Sequence, residues 1–513
     1  MSRQTSKVIK SQFLSVCQMN DSFKPQPFLM IVFGGAGDLS RRKLLPALYH
    51  LYCDKQIVDF IILGVGRTER SDEEYRVEMG EYVSRYSGDL FDKAKWESFA
   101  SHLRYISGDV SDAKLYVALR TQTDSLMKKI GMNNLLYYLS VPIGVVSVII
   151  DQMAQQRSWL KQKQSKVIIE KPFGKDRDSA KALNTKVLEV FEESQIYRID
   201  HYLGKETVQN ILFFRFANSI FEPIWKRNYI DHVEISVTES EGVGTRGDFY
   251  EESGIIRDVV QNHLLQLVSL VAMEPPVGFE ANLIRDEKLK VYRSIRQFTP
   301  EEIAENTVIG QYGAGTVDEK TAVAYRKEAK VNSKSVTPTF FAGRFFVDNW
   351  RLAGVPIYVR TGKRLKKRVT ELVVYFKHPP LKLLGCGHEE MPPNAVVMSI
   401  TPHESINICF SVKLPGMVDR AYPVKMSFDY QETFGRDYSP YERLLIDCMK
   451  GDQTLFPGAE EIECMWSIVD PIIRYWEEKG DKHLPIYEAG TWGPEAADRL
   501  MQEDGNEWRC YEK

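Results

Sequence analysis

The sequence has no stretch approaching the ~20 consecutive apolar residues of a membrane span, no Cys-x-x-Cys pair, no low-complexity tract, no internal repeat and no surplus of charge. Its 67 basic and 70 acidic residues give a formal charge of −3. A polyanion such as nucleic acid is therefore not favoured as a partner, although a local basic pocket for a small anion stays open. The cysteines are Cys17, Cys53, Cys386, Cys409, Cys448, Cys464 and Cys510, odd in number and widely scattered. That spacing argues against a disulfide framework and against a structural zinc site, and it predicts a reducing, cytoplasmic setting with no metal centre.

What is present is material for two cores. The chain has 513 residues, 43% of them hydrophobic and 27% charged, which is too long for one ordinary domain. Residues 1–27 carry Arg3, Lys7, Lys10 and Lys24 against Asp21 alone. They read as a flexible tail, with a transit peptide as the alternative.

Phe28 to Phe33 is a continuous apolar run of strand length, and Gly34, Gly35, Ala36, Gly37, Asp38, Leu39, Ser40 and Arg41 follow at once. Leu44, Leu45, Leu48 and Leu51 then recur at helical spacing, so the glycines occupy a strand-to-helix turn. Backbone N–H groups at a helix start attract phosphate, and side chains there would hold it off. A dinucleotide pyrophosphate would rest on this turn, although its spacing is compressed relative to Gly-x-Gly-x-x-Gly. The second strand, Phe60 to Val65, ends at Gly66-Arg67-Thr68. An arginine there suits a ribose 2′-phosphate, where an acidic residue would suit a free hydroxyl, so Arg67 favours NADP over NAD.

Tyr105 to Ser107 reads as a third strand, followed by Gly108-Asp109-Val110 as the turn nearest the adenine. A helix to about Ile130 and a strand Leu135 to Leu139 come next. This alternation predicts a doubly wound, Rossmann-like parallel sheet over residues 28–200. Beyond residue 201 the pattern changes. Val233 to Val237 alternates like a half-exposed antiparallel strand, and Phe340 to Val347, Ile357 to Arg360 and Leu372 to Phe376 are further candidates. Residues 201–513 are expected to form an α+β domain around one large antiparallel sheet. Irregular loops are expected near Glu274 to Glu280 and Gly313 to Thr337.

Three blocks carry chemistry. Arg198-Ile199-Asp200-His201-Tyr202-Leu203-Gly204-Lys205-Glu206 follows a short apolar strand. It offers an imidazole, a phenol and an ammonium to a phosphate dianion, with Asp200 free to orient an imidazole from elsewhere; a capped helix start is the bland alternative. Glu170-Lys171-Pro172-Phe173-Gly174 closes the strand Val167 to Ile169, aiming Lys171 out of the sheet's carboxyl end. Arg257-Asp258-Val259-Val260-Gln261-Asn262-His263 lies in an apolar helical run from Ile255 to Ala272. On an ordinary helix, at ~100° per residue, Asp258 and His263 stand about 140° apart and do not share a face.

Together these blocks resemble the glucose-6-phosphate dehydrogenase family. Tyr441 to Asp447, Trp466, Val469-Asp470-Pro471 and Ala489 to Pro494 extend the likeness to residues 28–508. The resemblance implies oxidation of glucose 6-phosphate at C1 to the 6-phospho-glucono-1,5-lactone with NADP as acceptor, the first step of the oxidative pentose phosphate pathway. It implies His263 as the base and Asp200 as its orienting carboxylate. His201, Tyr202, Lys205, Lys363 and Arg368 would take the phosphate, Glu239 and Asp258 the sugar hydroxyls, and Lys171 would touch both sugar and cofactor. Residues 34–41, Arg67, Asp109 and Val110 would complete the cofactor site, and a homodimer or homotetramer would form through the large sheet. Two departures stand out: Ala36 replaces a hydroxyl residue common in the family, and Pro142-Ile143 replaces Pro-Pro followed by an aromatic. They leave a catalytically silent, NADPH-binding redox sensor as the alternative.

Overall fold

The computed structural model describes residues 24–162, 165–380, 392–417, 421–435 and 438–509. Most of the expected tail, together with Cys17, Cys386 and Cys510, lies outside them. Six strands form one parallel sheet: β1 (Phe28–Phe33), β2 (Phe60–Gly66), β3 (Leu103–Ser107), β4 (Asn134–Leu139), β5 (Lys166–Ile169) and β6 (Ile196–Arg198), in the order β3-β2-β1-β4-β5-β6. Every residue of β1 and β4 is buried. Parallel strands covered by helices on both faces have no solvent side, which is why these segments read as unbroken apolar runs. The crossover helices start on local signals. Ser71 caps the helix Asp72–Ser87, accepting from the Glu74 amide while the Glu74 carboxylate accepts from the Ser71 amide at 2.8 Å. The strand order reverses between β1 and β4, so the crevice at their carboxyl ends is the place for a ligand.

The second sheet has ten strands: β7 (Ile230–Thr238), β8 (Thr307–Val317), β9 (Lys320–Ala322), β10 (Phe340–Phe346), β11 (Pro356–Gly362), β12 (Val369–Phe376), β13 (Ala395–Thr401), β14 (Ser405–Lys413), β15 (Ala421–Asp429) and β16 (Ile486–Ala489). Their order is β15-β14-β13-β12-β7-β11-β10-β8-β16, with β9 against β8. The sheet is mixed where an antiparallel one was expected: β7 runs parallel to β11, and β16 parallel to β8. Nor is β7 half-exposed, since only Asp231 of its nine residues is exposed. Its alternating polar residues face a buried cation instead of water. Glu234 lies 4.0 Å and Ser236 3.4 Å from the Arg360 guanidinium, which is itself held over the rings of Trp508 and Trp492. The stretch from Gly313 is not wholly irregular either. β8 continues to Val317 and turns into β9 through Asp318 and Glu319, both left-handed.

The segment Ile256–Leu264 is a helix widened to i→i+5 hydrogen bonding, and an ordinary helix, Leu265–Ala272, continues it. At the junction the Leu265 amide reaches back to the Val260 carbonyl. The fully buried Trp466, on the long helix Ala459–Lys479, donates from Nε1 to the Phe173 carbonyl at 2.9 Å. That bond ties the turn after β5 to the second half of the chain.

Candidate functional site

The turn after β1 is shaped by the absence of side chains. Gly34 has φ +79°, and a Cβ there would stand 2.2 Å from the Ser140 carbonyl oxygen; one on Gly35 would stand 2.6 Å from the Gly64 Cα. Only glycine lets the turn lie between the ends of β2 and β4. Ser40, fully buried, donates to the Gly34 carbonyl at 2.8 Å and closes the turn onto the helix start. The cradle fits a dinucleotide phosphate. Arg67 is exposed just beyond β2 and lies near Asp109. The Asp109 carboxylate accepts from the Ser111 amide and hydroxyl, with Arg67 adding to the pull, and these hold its pKa below the usual carboxylate range. The Val110 carbonyl accepts from Tyr116 at 2.9 Å. Asp38 and Leu39 start the helix, with Ala36 beside them. Arg41 is held by Glu78, and Arg70, which sequence reasoning passed over, joins the same carboxylate at 2.8 Å. The Arg67-x-x-Arg70 spacing was the available signal.

At the carboxyl edge of the same sheet four side chains form a relay. Asp200 Oδ1 lies 2.5 Å from His263 Nδ1, His263 Nε2 lies 2.8 Å from Lys171 Nζ, and that ammonium reaches the Asp258 carbonyl at 2.9 Å and its Oδ1 at 3.4 Å. An ammonium can only donate, so His263 receives it on the Nε2 lone pair and carries its own proton on Nδ1, toward Asp200. The i→i+5 widening explains how Asp258 and His263 both reach Lys171: residues five apart fall on one face, where an ordinary helix separates them. The peptide before Pro172 is cis.

The electrostatics agree with a poised base. Burial pushes the His263 pKa down and the Lys171 charge adds to this, while Asp200 opposes it. Burial alone would raise Asp200. The facing His263, the hydrogen bond between them, His201 and the Tyr202 amide overcome that and hold its carboxyl well below the usual range. Burial likewise works against the Asp258 carboxylate, yet Lys171 and then Lys363 bring it down to about 2. Tyr202 stacks on His263 with ring centres 4.1 Å apart, and His201 meets the same ring edge-on at 4.4 Å. Burial, reinforced by His263 and Lys171, keeps the His201 pKa well below its ordinary value, so this imidazole is a neutral hydrogen-bonding group. Asp200, His201 and His263 also have donor atoms within 4.8 Å of one another. Two of the three already share a proton in the relay.

Phosphate-type groups gather on one side. Lys205 Nζ lies over the Tyr202 ring at 4.5 Å and donates to Thr401 at 3.0 Å. Its pKa is pushed down to about 8, first by burial and then by Arg368, against the opposing pull of Glu404. Tyr202, His201, Lys205 and Arg368 thus converge, with Thr370 and Thr401 as neighbours the sequence did not signal. Lys363, expected in this set, is placed elsewhere: its ammonium pairs with Glu239 at 2.5 Å and lies over the Tyr250 ring. The Leu365 amide donates to the Glu239 carbonyl, and the Glu239 amide to that of Gly362, so backbone bonds lock the two residues side by side.

A doubly wound sheet with a glycine cradle and an exposed arginine beyond its second strand, joined at its edge to a carboxylate–imidazole–ammonium relay, defines a nicotinamide-dependent dehydrogenase. The family model "Glucose-6-phosphate dehydrogenase, NAD binding domain" matches residues 31–210, and "Glucose-6-phosphate dehydrogenase, C-terminal domain" matches residues 212–509. The chain belongs to the glucose-6-phosphate dehydrogenase family. It is 44% identical over 498 residues to a glucose-6-phosphate 1-dehydrogenase of Aggregatibacter actinomycetemcomitans, covering 95% of this chain and 98% of that one. The Bacillus subtilis protein of the same name is 40% identical over 486 residues, covering 94% and 98%. Among solved structures, a glucose-6-phosphate dehydrogenase in complex with its substrate superposes with a TM-score of 0.87 at 30% identity, covering 95% of this chain and all of that one. The Mycobacterium avium enzyme superposes at 0.81 and 35% identity, covering 95% and 99%.

Proposed function

We propose that this cleft oxidises glucose 6-phosphate at C1 to the 6-phospho-glucono-1,5-lactone, opening the oxidative pentose phosphate pathway. NADP supplies the hydride acceptor when bound. The observation that carries the reading is the relay itself, with a neutral His263 whose Nε2 lone pair accepts from Lys171 and whose Nδ1 proton is held by Asp200. His263 takes the proton of the C1 hydroxyl on Nε2, and Asp200 stabilises the imidazolium that forms. Lys171, released from Nε2 as that nitrogen is protonated, stays on Asp258 and holds the sugar edge. His201, Tyr202, Lys205 and Arg368 bind the 6-phosphate. These contacts lie away from C1 and supply binding energy that fixes the reacting carbon. Glu239, Asp258 and Lys363 hold ring hydroxyls. Residues 34–41, Arg67, Asp109 and Val110 hold the cofactor, whose domain we end near Asp200.

Reduction of NADP+ is followed by absorbance with glucose 6-phosphate, on the wild type and on His263→Asn. Loss of a general base predicts a fall in kcat of about 10²–10⁴-fold with substrate binding retained. No reduction by the wild type would overturn the enzyme reading and leave a cofactor-binding sensor.

The chain is also read as a homodimer or homotetramer. β15 is an edge strand, and register places Tyr422, Val424, Met426 and Phe428 opposite Val412, Phe410, Ile408 and Ile406. Tyr422 and Met426 are more than half exposed. A long, apolar edge hairpin of this kind is covered in stable proteins, and a second copy offers the matching face. Among the described residues no helix is long and apolar enough to cross a membrane, and the scattered cysteines support a cytoplasmic setting.

A further inference from the structure

Tyr250 has no part in the relay, the phosphate set or the cofactor cradle. It lies on the helix Gly247–Ile255, is 3% exposed, and its ring carries the Lys363 ammonium at 5.1 Å. Its hydroxyl is fully buried and has no hydrogen-bond partner among the described residues. Buried polar groups are nearly always satisfied, and one left alone costs free energy comparable to a lost hydrogen bond. The ring is not free to turn away. Tyr325 packs edge-on against it with centres 6.0 Å apart, and the neighbouring Glu251 anchors the helix by accepting from Tyr325 at 2.5 Å and Ser335 at 2.6 Å. Asp258 and Glu239 are the carboxylates whose charges bear most on the phenol. Lys363, paired with Glu239, closes this corner.

We propose that Tyr250 is a specificity-determining residue that reads one ring hydroxyl of the hexose. When the sugar draws Glu239 away from Lys363, the same hydroxyl accepts from or donates to the Tyr250 phenol. The corner then holds an acceptor-only carboxylate, a donor-only ammonium and a phenol that does both. That set matches a sugar hydroxyl, which both donates and accepts. A site built this way rejects an analogue lacking the hydroxyl, because its own buried groups are left unpaired. The inference rests on the substrate reading above.

The test is Tyr250→Phe, which keeps the ring under Lys363 and removes one oxygen, assayed by kcat/KM with glucose 6-phosphate and with its 2-, 3- and 4-deoxy analogues. The expected result is a loss of about tenfold with glucose 6-phosphate that disappears with at least one analogue, as a lost hydrogen bond to that hydroxyl requires. An equal loss with all four substrates, or no loss with glucose 6-phosphate, would overturn it. Wild-type turnover of glucose 6-phosphate in the same assay separates failure of this inference from failure of the substrate reading.

Discussion

Lys205 offers the sharpest quantitative test of the phosphate site. In the free protein its pKa is brought down to about 8, by burial first and then by Arg368, against Glu404. A phosphate dianion between Lys205 and Arg368 reverses both effects and returns the ammonium to at least its ordinary ~10.4. The free pKa therefore lies below the bound one, so binding takes up a proton in the window between them. Affinity is fully present below pH 8 and is lost as pH rises toward the bound value. At pH 9 only about a tenth of the free Lys205 is protonated, so close to one proton should be absorbed per site, and across the window the coupling is on the order of 3 kcal/mol. The substrate's own second phosphate ionisation, near pH 6, lies outside this range. Calorimetric titration with glucose 6-phosphate, in two buffers of different ionisation enthalpy from pH 7.5 to 9.5, reads both the uptake and the affinity. Lys205→Arg keeps a charge that does not titrate here and should flatten the profile. A flat wild-type profile, or an unchanged slope in the arginine variant, would refute the placement of phosphate at Lys205.

Other outcomes follow from the same geometry. Arg67→Ala should raise the KM for NADP+ by about 10–100-fold and leave that for NAD+ unchanged, as loss of a charged hydrogen bond to a 2′-phosphate requires; steady-state kinetics with both cofactors decide it. Trp466→Phe leaves the Phe173 carbonyl without its donor. It should cost about 1–3 kcal/mol in chemical denaturation and lower kcat, because the turn it ties down carries Lys171. Met426→Asp sets a charge in the apolar edge hairpin. Light scattering should show an oligomer mass for the wild type and monomer mass for the variant; a monomeric wild type, or an unchanged mass in the variant, would overturn an assembly through this hairpin.

Much of the fold was legible because its signals are local. Phe28–Phe33 is apolar without interruption since helices cover both sides of a parallel strand, and the glycines after it mark a turn that side chains would block. The helical spacing of Leu44, Leu45, Leu48 and Leu51 marks the helix that follows that turn. β7 misled for a definite reason. Its alternation reflects polar residues turned toward Arg360, a partner 126 positions from Glu234, and not toward water.

The chemistry-bearing residue types around 171, 200–205 and 257–263 were visible in the sequence, and family resemblance supplied their roles. How they meet was not visible. Lys171 and His263 lie 92 positions apart, and Glu239 and Lys363 lie 124 apart; only the packing of the helix Ile256–Leu264 at the first sheet's carboxyl edge joins the one pair, and only the pairing of β7 with β11 the other. Even the local question of which residues share a helical face was settled by tertiary structure. An ordinary helix would turn Asp258 away from His263, whereas the widened helix Ile256–Leu264 presents both to one ammonium. Side-chain spacing does not encode that widening. It depends on what the segment must satisfy on every side once it is buried, and burial is a property of the whole chain.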